Sequence, residues 1–506
     1  MIATIHTAAL RGYTGTLIDV ETDMRTGLPG VRIVGMGNKS IDEARERVRS
    51  AIRHASLEFP PRKLTVNLSP AELPKEGAYF DLPIALGILT ASGQLRPADV
   101  SEAVFAGELA LDGRLRPIRG AIIIAETAKQ SGLTKVYLPV ENVPQAQLVE
   151  GVDVYGVSHL KELFQHLKGV HPLQPYRQQL AIADKPTEVH ASLDEIQGHE
   201  HAKRALAIAA AGRHNLLLSG SPGTGKTLLA RALADLLPGL SPQEIREATT
   251  LHSLRYGESG SLLTTPPFRM PHHSTTLTAL IGGGARPQPG EVSLAHKGVL
   301  FLDELPEFSQ ASLEALRQPI EDRVVSITRV YERISYPADV LLVAAMNPCP
   351  CGYYGDEQKA CRCQPYHVEK YQKKISGPLR DRFDIHISVR KVPFEQLVNS
   401  NTKTLSQHHK VLEAIIMARK RQKDRYNRSD IYNAHATPEI IMNTFLITRE
   451  AVALARQAAK TLQVSTRAYY RLLRVARTIA DLENEAKVEA YHVAEALQFR
   501  DHSPTR

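Results

Sequence analysis

Between residues 215 and 239 the chain passes from an apolar run through a glycine-rich turn into a helical pattern, and this passage restricts the fold more than any other. Asn215-Leu216-Leu217-Leu218-Ser219 reads as a short buried strand. Gly220-Ser221-Pro222-Gly223-Thr224-Gly225-Lys226-Thr227 fills the Gly-x4-Gly-Lys-Thr pattern completely. The segment from Thr227 to Leu237 reads as a helix stopped by Pro238-Gly239. Glycines at these positions let backbone amides curl around phosphate oxygens, and the helix N-terminus adds free N–H donors and positive dipole. Lys226 is then the group that reaches the terminal phosphates of ATP, and the Thr227 hydroxyl is a ligand for Mg²⁺.

A second strand, Gly298-Val299-Leu300-Phe301-Leu302-Asp303, ends in Asp303-Glu304. Asp303 is suited to hold Mg²⁺ through water, and Glu304 to orient and deprotonate an attacking water. A third buried strand, Val340 to Ala345, leads to Asn347, which is either a polar group on the same rim or a turn-forming residue before Pro348. Strands alternating with helices predict a parallel sheet covered on both faces. The chain as a whole reads as α/β and multidomain, which its 506 residues require. Residues 1–170 mix strands (Leu64–Leu68, Lys135–Val140) with an apolar helix (Leu82–Ser92). A Pro-punctuated linker spans 171–190, the α/β core 191–390, and a mostly helical region 391–506.

Net charge is +8, and residues 391–506 hold 19 Lys/Arg against 12 Asp/Glu. That excess suits either a polyanionic partner or a solvated helical surface. Within it, the basic run Arg419 to Arg425 reads more simply as a solvated helix end than as a duplex-binding site. No apolar run is long enough to span a bilayer and the first residues do not form a signal peptide, so the expectation is a soluble, cytoplasmic protein with no membrane partner. All four cysteines fall in one loop, as Cys349-x-Cys351 and Cys361-x-Cys363. Four thiolates so grouped suit a structural Zn²⁺, the alternative being reduced free thiols. The adjacent pairs His272-His273 and His408-His409 read as polar packing or surface.

Several segments together identify a resemblance to the magnesium-chelatase-like AAA+ family, in its ComM/YifB group. They are Ile196-Gln197-Gly198-His199-Glu200, the glycine-rich loop, Phe268-Arg269-x-Pro271-His272-His273-Ser274, Ile281 to Gly284, Pro289 to His296, Leu302 to Phe308, and Met346 to Gly352. The likeness runs through the whole chain. It implies a central AAA+ P-loop domain with a C-terminal helical lid. It also implies that Asn347 positions the lytic water as sensor 1, that Arg382 is an arginine finger reaching a neighbour's ATP, and that Arg467 is sensor 2. A finger supplied by a neighbour implies a ring, most simply a homo-hexamer.

Residues from about Asn67 to Gln147 resemble the Lon-protease-like fold, through Pro74 to Ala78, Gly107-Glu108-Leu109, Gly113 to Ile118 and Leu138 to Val143. Tyr79 stands where that family has its nucleophilic Ser and Ile122 where it has its activating Lys, so an inactive domain is expected. Glu321 to Tyr336 reads as a β-hairpin, which the resemblance places in the ring's pore. Arg329 and Arg333 would track phosphates and Tyr331 would stack on bases, or the tip is simply a charged turn. Arg286 and Lys297, in a stretch resembling the family's helix-2 insertion, are further candidate DNA contacts. The resemblance implies a DNA translocase or helicase that promotes branch migration of recombination intermediates in natural transformation, on single-stranded and branched DNA, with recombination proteins as possible partners. A chelatase-like remodeller of a protein partner and a pseudo-protease scaffold are the alternatives.

Overall fold

The computed structural model describes the chain outside residues 1, 36–38, 74, 76, 178–190, 258–259, 285–286, 329–332, 393–405, 429, 464 and 501–506. It forms two compact units: residues 1–185, 241–264 and 326–336 make the first, and 186–240, 265–325 and 337–506 the second. The divisions read from the sequence are contiguous, whereas the first unit gathers two segments from inside the 191–390 stretch.

The first unit is built on a mixed seven-stranded sheet. Strands Ile2–Arg11 and Thr14–Arg25 pair antiparallel from Ile2–Asp23 to Arg11–Thr14. Thr14–Arg25 also pairs antiparallel with Lys63–Ser69. Along Thr14–Arg25, Ile18, Val20 and Thr22 are buried, the period of two expected of a strand with one covered face. Helix Asp81–Ala91 is buried along its whole length, which is why it has no polar stripe. The strand expected at Leu64–Leu68 is Lys63–Ser69, and the one expected at Lys135–Val140 is Lys135–Pro139.

The two later segments extend this core. Helix Pro242–Tyr256 starts with a capping box between Ser241 and Glu244. The Gly120 N–H donates to its Ser253 Oγ at 3.0 Å, and Arg246 lies 3.5 Å from Glu126. The expected hairpin is present as Val324–Thr328 and Arg333–Pro337. Its Ile334 and Tyr336 are buried with Leu251, and Tyr13 packs against them. The residues meant to form the hairpin tip, Arg329 and Tyr331, lie outside the described residues, and Arg333 is exposed.

The second unit holds a five-stranded parallel sheet. Strands Leu216–Gly220, Phe268–Arg269, Val299–Leu302, Leu341–Met346 and Ile385–Val389 stand in the order 2-3-4-1-5. Leu216, Leu218, Val299, Phe301, Val343 and Ala345 belong to one large core, while Leu300, Leu302, Leu342 and Ala344 are buried too. Both faces are therefore covered, and the strands read as unbroken apolar runs. Helices Glu200–Gly212, Lys226–Asp235 and Thr466–Leu482 contribute to the same core, so the C-terminal helices fold with the sheet.

The basic run at Arg419–Arg425 is not simply a solvated helix end. On helix Ser406–Tyr426, Arg419 donates to the Ala210 carbonyl at 2.9 Å, and Arg421 binds the Asp481 carbonyl and Asn484. Arg425 donates to both oxygens of the fully buried Asp481, at 2.9 and 2.5 Å. Asp481 also lies 3.0 Å from the buried Arg477 and accepts from Asn433 at 2.8 Å. Only Lys420, Lys423 and Asp424 of the run are exposed. Removing the shared carboxylate leaves two enclosed guanidinium groups facing each other. Asp481→Ala is therefore expected to destabilise the second unit by about 3–5 kcal/mol, read as a lower urea midpoint of the full chain. An unchanged midpoint would contradict this role.

Candidate nucleotide site

Parallel register sets the geometry of the site. Leu302 pairs with Ala344 and Ser219 with Met346, so the three strands end on one rim. Gly220, Asp303 and Asn347 follow directly, at the carboxyl edge where parallel sheets bind ligands. Gly225, with φ of 82°, turns the loop into helix Lys226–Asp235, a backbone state that costs glycine nothing.

Lys226 is the hub of the rim. Its Nζ donates to the Gly220 carbonyl at 2.7 Å, the Ser221 carbonyl at 3.0 Å and Asn347 Oδ1 at 3.2 Å. Burial lowers its pKa, against the pull of Asp303 and Glu304. The Thr227 hydroxyl donates to Asp303 Oδ2 at 3.0 Å. A hydroxyl and a carboxylate held together beside a lysine are oxygen donors of the kind Mg²⁺ takes in a triphosphate site, so these residues fit MgATP. Glu304 stands one residue beyond Asp303 in the left-handed region, at φ 51° and ψ 47°, and its amide donates to Asp303 Oδ1 at 2.9 Å. Its carboxylate is half exposed and lies 3.5 Å from His273 Nδ1. This contact is polar packing of the kind expected for the His272–His273 pair, here made with a residue on another strand's loop.

Arg382 and Arg467 stand together rather than at Lys226. Both donate to Glu321, Arg467 at 2.9 Å, and among the described residues neither is hydrogen-bonded to a phosphate-loop side chain. Burial lowers the Arg382 pKa, and the neighbouring charge of Arg467 lowers it further. The turn carrying Arg382 is pinned to the sheet: Asn215 Nδ2 donates to the Arg382 carbonyl at 2.9 Å, and Asn215 Oδ1 accepts from the Leu342 amide at 2.9 Å. Arg471 holds the same turn through the Asp381 and Phe383 carbonyls. Arg467 sits in the first turn of Thr466–Leu482, capped by Ser465.

Lys297 requires a correction. It is buried, 2.9 Å from the buried Asp339, and so offers no surface for DNA. Against the effect of its burial, Arg213 and Lys297 hold Asp339 ionised. Arg286 lies outside the described residues.

The four cysteines converge. Cys349 Sγ lies 3.3 Å from Cys351 Sγ and 3.6 Å from Cys361 Sγ, and Cys351 and Cys361 are 3.6 Å apart. All four sulfurs, that of Cys363 included, lie within 4.8 Å of one another. A tetrahedron of thiolates around one ion with bonds of about 2.3 Å has edges of about 3.8 Å, so the group fits a single thiophilic ion. The loop also touches the glycine-rich turn: Ser221 Oγ donates to Asp356 Oδ2 at 2.5 Å. That bond and the amides of Gln358 and Lys359 pull the Asp356 carboxyl down to about 2.

In the first unit, Tyr79 and Ile122 are both buried, Tyr79 accepting from the Leu10 amide at 3.4 Å. Tyr79 offers a buried phenol in place of the serine hydroxyl, and Ile122 offers no amine.

The sequence pattern of the magnesium chelatase subunit ChlI matches residues 20–142 and 192–397, and its C-terminal part matches 406–500. The chain is 41% identical over 506 residues to the competence protein ComM of Haemophilus influenzae, covering 99% of this chain and 97% of that one. It is 41% identical over 505 residues to the uncharacterised protein YifB of Escherichia coli, with the same coverage. Lon protease 2 of Bacillus subtilis is 27% identical over 172 residues, 30% of either chain.

The geometry leads to separate predictions for binding and for turnover. Lys226→Ala should abolish binding of a fluorescent ATP analogue. Glu304→Gln should bind it normally while hydrolysis falls by about 10²-fold or more. Normal hydrolysis by Glu304→Gln would remove Glu304 from the chemistry.

Proposed function

Since the chain belongs to the ComM/YifB group of magnesium-chelatase-like AAA+ proteins, with which it shares sequence from end to end, we propose that it is an ATP-driven DNA translocase that promotes branch migration of recombination intermediates. The single observation that carries the DNA reading is the full-length identity to a competence protein. The excess of basic residues, +8 in all, agrees with a polyanionic track. We assign the protein to the cytoplasm, where ATP and DNA meet; no helix among the described residues is long and apolar enough to cross a membrane.

In this reading Lys226 and the loop amides bind the phosphates, and Thr227 and Asp303 hold Mg²⁺, which neutralises developing phosphate charge when bound. Glu304 takes the proton of the attacking water, with Asn347 fixing the water's direction. Arg382 and Arg467, paired on Glu321, serve one nucleotide jointly, that of the neighbouring subunit. Two cations brought to a γ-phosphate there stabilise the charge that builds in the transition state. That arrangement calls for a ring, and a hexamer is the form proposed. The cysteine group is proposed to hold a structural Zn²⁺. Arg286, Arg329, Tyr331 and Arg333 are the DNA contacts in this reading, and the buried Lys297 is not one of them. The first unit, without a nucleophile at Tyr79, serves as a scaffold for the ring.

The end-to-end ChlI matches favour a second reading, a chelatase-like remodeller of a protein partner. The two separate in one experiment. Branched and single-stranded DNA should raise steady-state ATP turnover, more at low salt than at high, and labelled four-way junctions should resolve into exchanged duplexes. Lys226→Ala should do neither. A rate indifferent to every DNA form and to salt would overturn the DNA reading in favour of the remodeller.

A further inference from the structure

The cysteine loop does more than follow the rim; it is fastened to the phosphate loop at three places. Asn347, whose Oδ1 accepts from Lys226, stands two residues before Cys349. Asp356, midway between the cysteine pairs and nearly enclosed, accepts from Ser221 at 2.5 Å. Gly352, at φ 84°, lies so close to Pro222 that a β-carbon there would come within 2.6 Å of the proline Cδ. Ser221 and Pro222 open the glycine-rich turn and so direct the path of Gly223 to Thr227, whose amides are the ones that would cradle phosphate. On the far side the loop is braced by Gln372, which donates to the Pro348 carbonyl at 3.0 Å, and by Lys391, 3.7 Å from Asp356.

A loop of this length is costly to keep in one shape by a few polar contacts. Cys349 and Cys361 are 12 residues apart in sequence. Bridging both pairs through one ion closes that stretch and removes most of its freedom. The Gly352 and Asp356 contacts both fall inside the closed stretch. Whatever fixes the sulfurs therefore also fixes the two groups that press on Pro222 and hold Ser221.

We propose that the Cys349–Cys363 loop is a metal-held clamp on the phosphate loop: one thiophilic divalent ion, zinc by the chemistry of the four thiolates, sets the cradle geometry through Asp356–Ser221 and Gly352–Pro222, so that ATP affinity depends on metal occupancy. This rests on the reading of the glycine-rich turn as an ATP site. It extends that reading by giving the cysteines a regulatory role at a site they do not enter.

The test uses the full-length protein, with zinc content measured by a chromogenic chelator and affinity by a fluorescent ATP analogue. The purified chain should carry one zinc. Stripping it should weaken ATP binding by about tenfold, the worth of one lost hydrogen bond to a charged group, and added zinc should restore it. Asp356→Ala should keep its zinc yet bind ATP as weakly as the stripped protein, with little further loss on stripping. Gly352→Ala should behave in the same way, through displacement of Pro222. Unchanged ATP affinity after zinc removal, or in Asp356→Ala, would overturn the clamp while leaving the ATP site intact. A chain that binds no zinc also overturns it. Zinc-loaded wild-type protein that fails to bind ATP would sink the underlying ATP-site reading, and the clamp with it.

Discussion

The parallel register of strands Leu216–Gly220, Val299–Leu302 and Leu341–Met346 is the constraint from which the site follows. Because Ser219 lies opposite Met346 and Leu302 opposite Ala344, the residues after each strand reach the same edge. The adjacent Lys226 and Thr227 thus meet Asp303 and Asn347, which lie 76 and 121 residues further along the chain. With both faces buried, a slip of one residue would not expose an apolar side chain but would force each one into packing shaped for its neighbour. Burial on both faces therefore fixes the site as firmly as it fixes the fold. Asn215 shows how far this reaches: one side chain at the start of the phosphate-loop strand ties together the Leu342 strand and the turn carrying Arg382.

Much of this architecture was legible in the sequence. Strands buried on both faces announce themselves as apolar runs, and the glycine-rich turn fixes what lies before and after it. The Lon likeness of the first unit was also legible, and the two positions that depart from that family, Tyr79 and Ile122, are both buried. Charge was less legible. Lys297 looked available for DNA because its partner, Asp339, lies 42 residues on. Arg425 looked like part of a basic surface because Asp481, 56 residues on, is invisible to local spacing. Glu321 gave no signal of its own, yet it gathers Arg382 and Arg467. The Phe268–Arg269 strand is only two residues long and carries no period. The packing of Pro242–Tyr256 with the first unit depends on contacts that cross more than a hundred residues, Gly120 to Ser253 among them.

Two groups of contacts lie just outside the site's own side chains. One is the cysteine loop, which bears on Ser221 and Pro222. The other is the arginine pair, held on Glu321 and making no hydrogen bond to a phosphate-loop side chain among the described residues. Lys226 meanwhile bonds to its own loop's carbonyls, contacts that an arriving phosphate would compete for. In the ring proposed above, the binding half would lie in one chain and the cations on Glu321 would serve another, a division that would make turnover depend on assembly.

The most direct test of that division is to mix two inactive chains. Lys226→Ala lacks the binding half and Arg382→Ala lacks the finger, so each alone should turn over little ATP. Co-assembled, some interfaces join an intact phosphate loop from one variant to an intact Arg382 from the other. The account predicts that the mixture hydrolyses ATP faster than the sum of its parts. A mixture that only matches that sum, or an Arg382→Ala chain with undiminished activity, would contradict it.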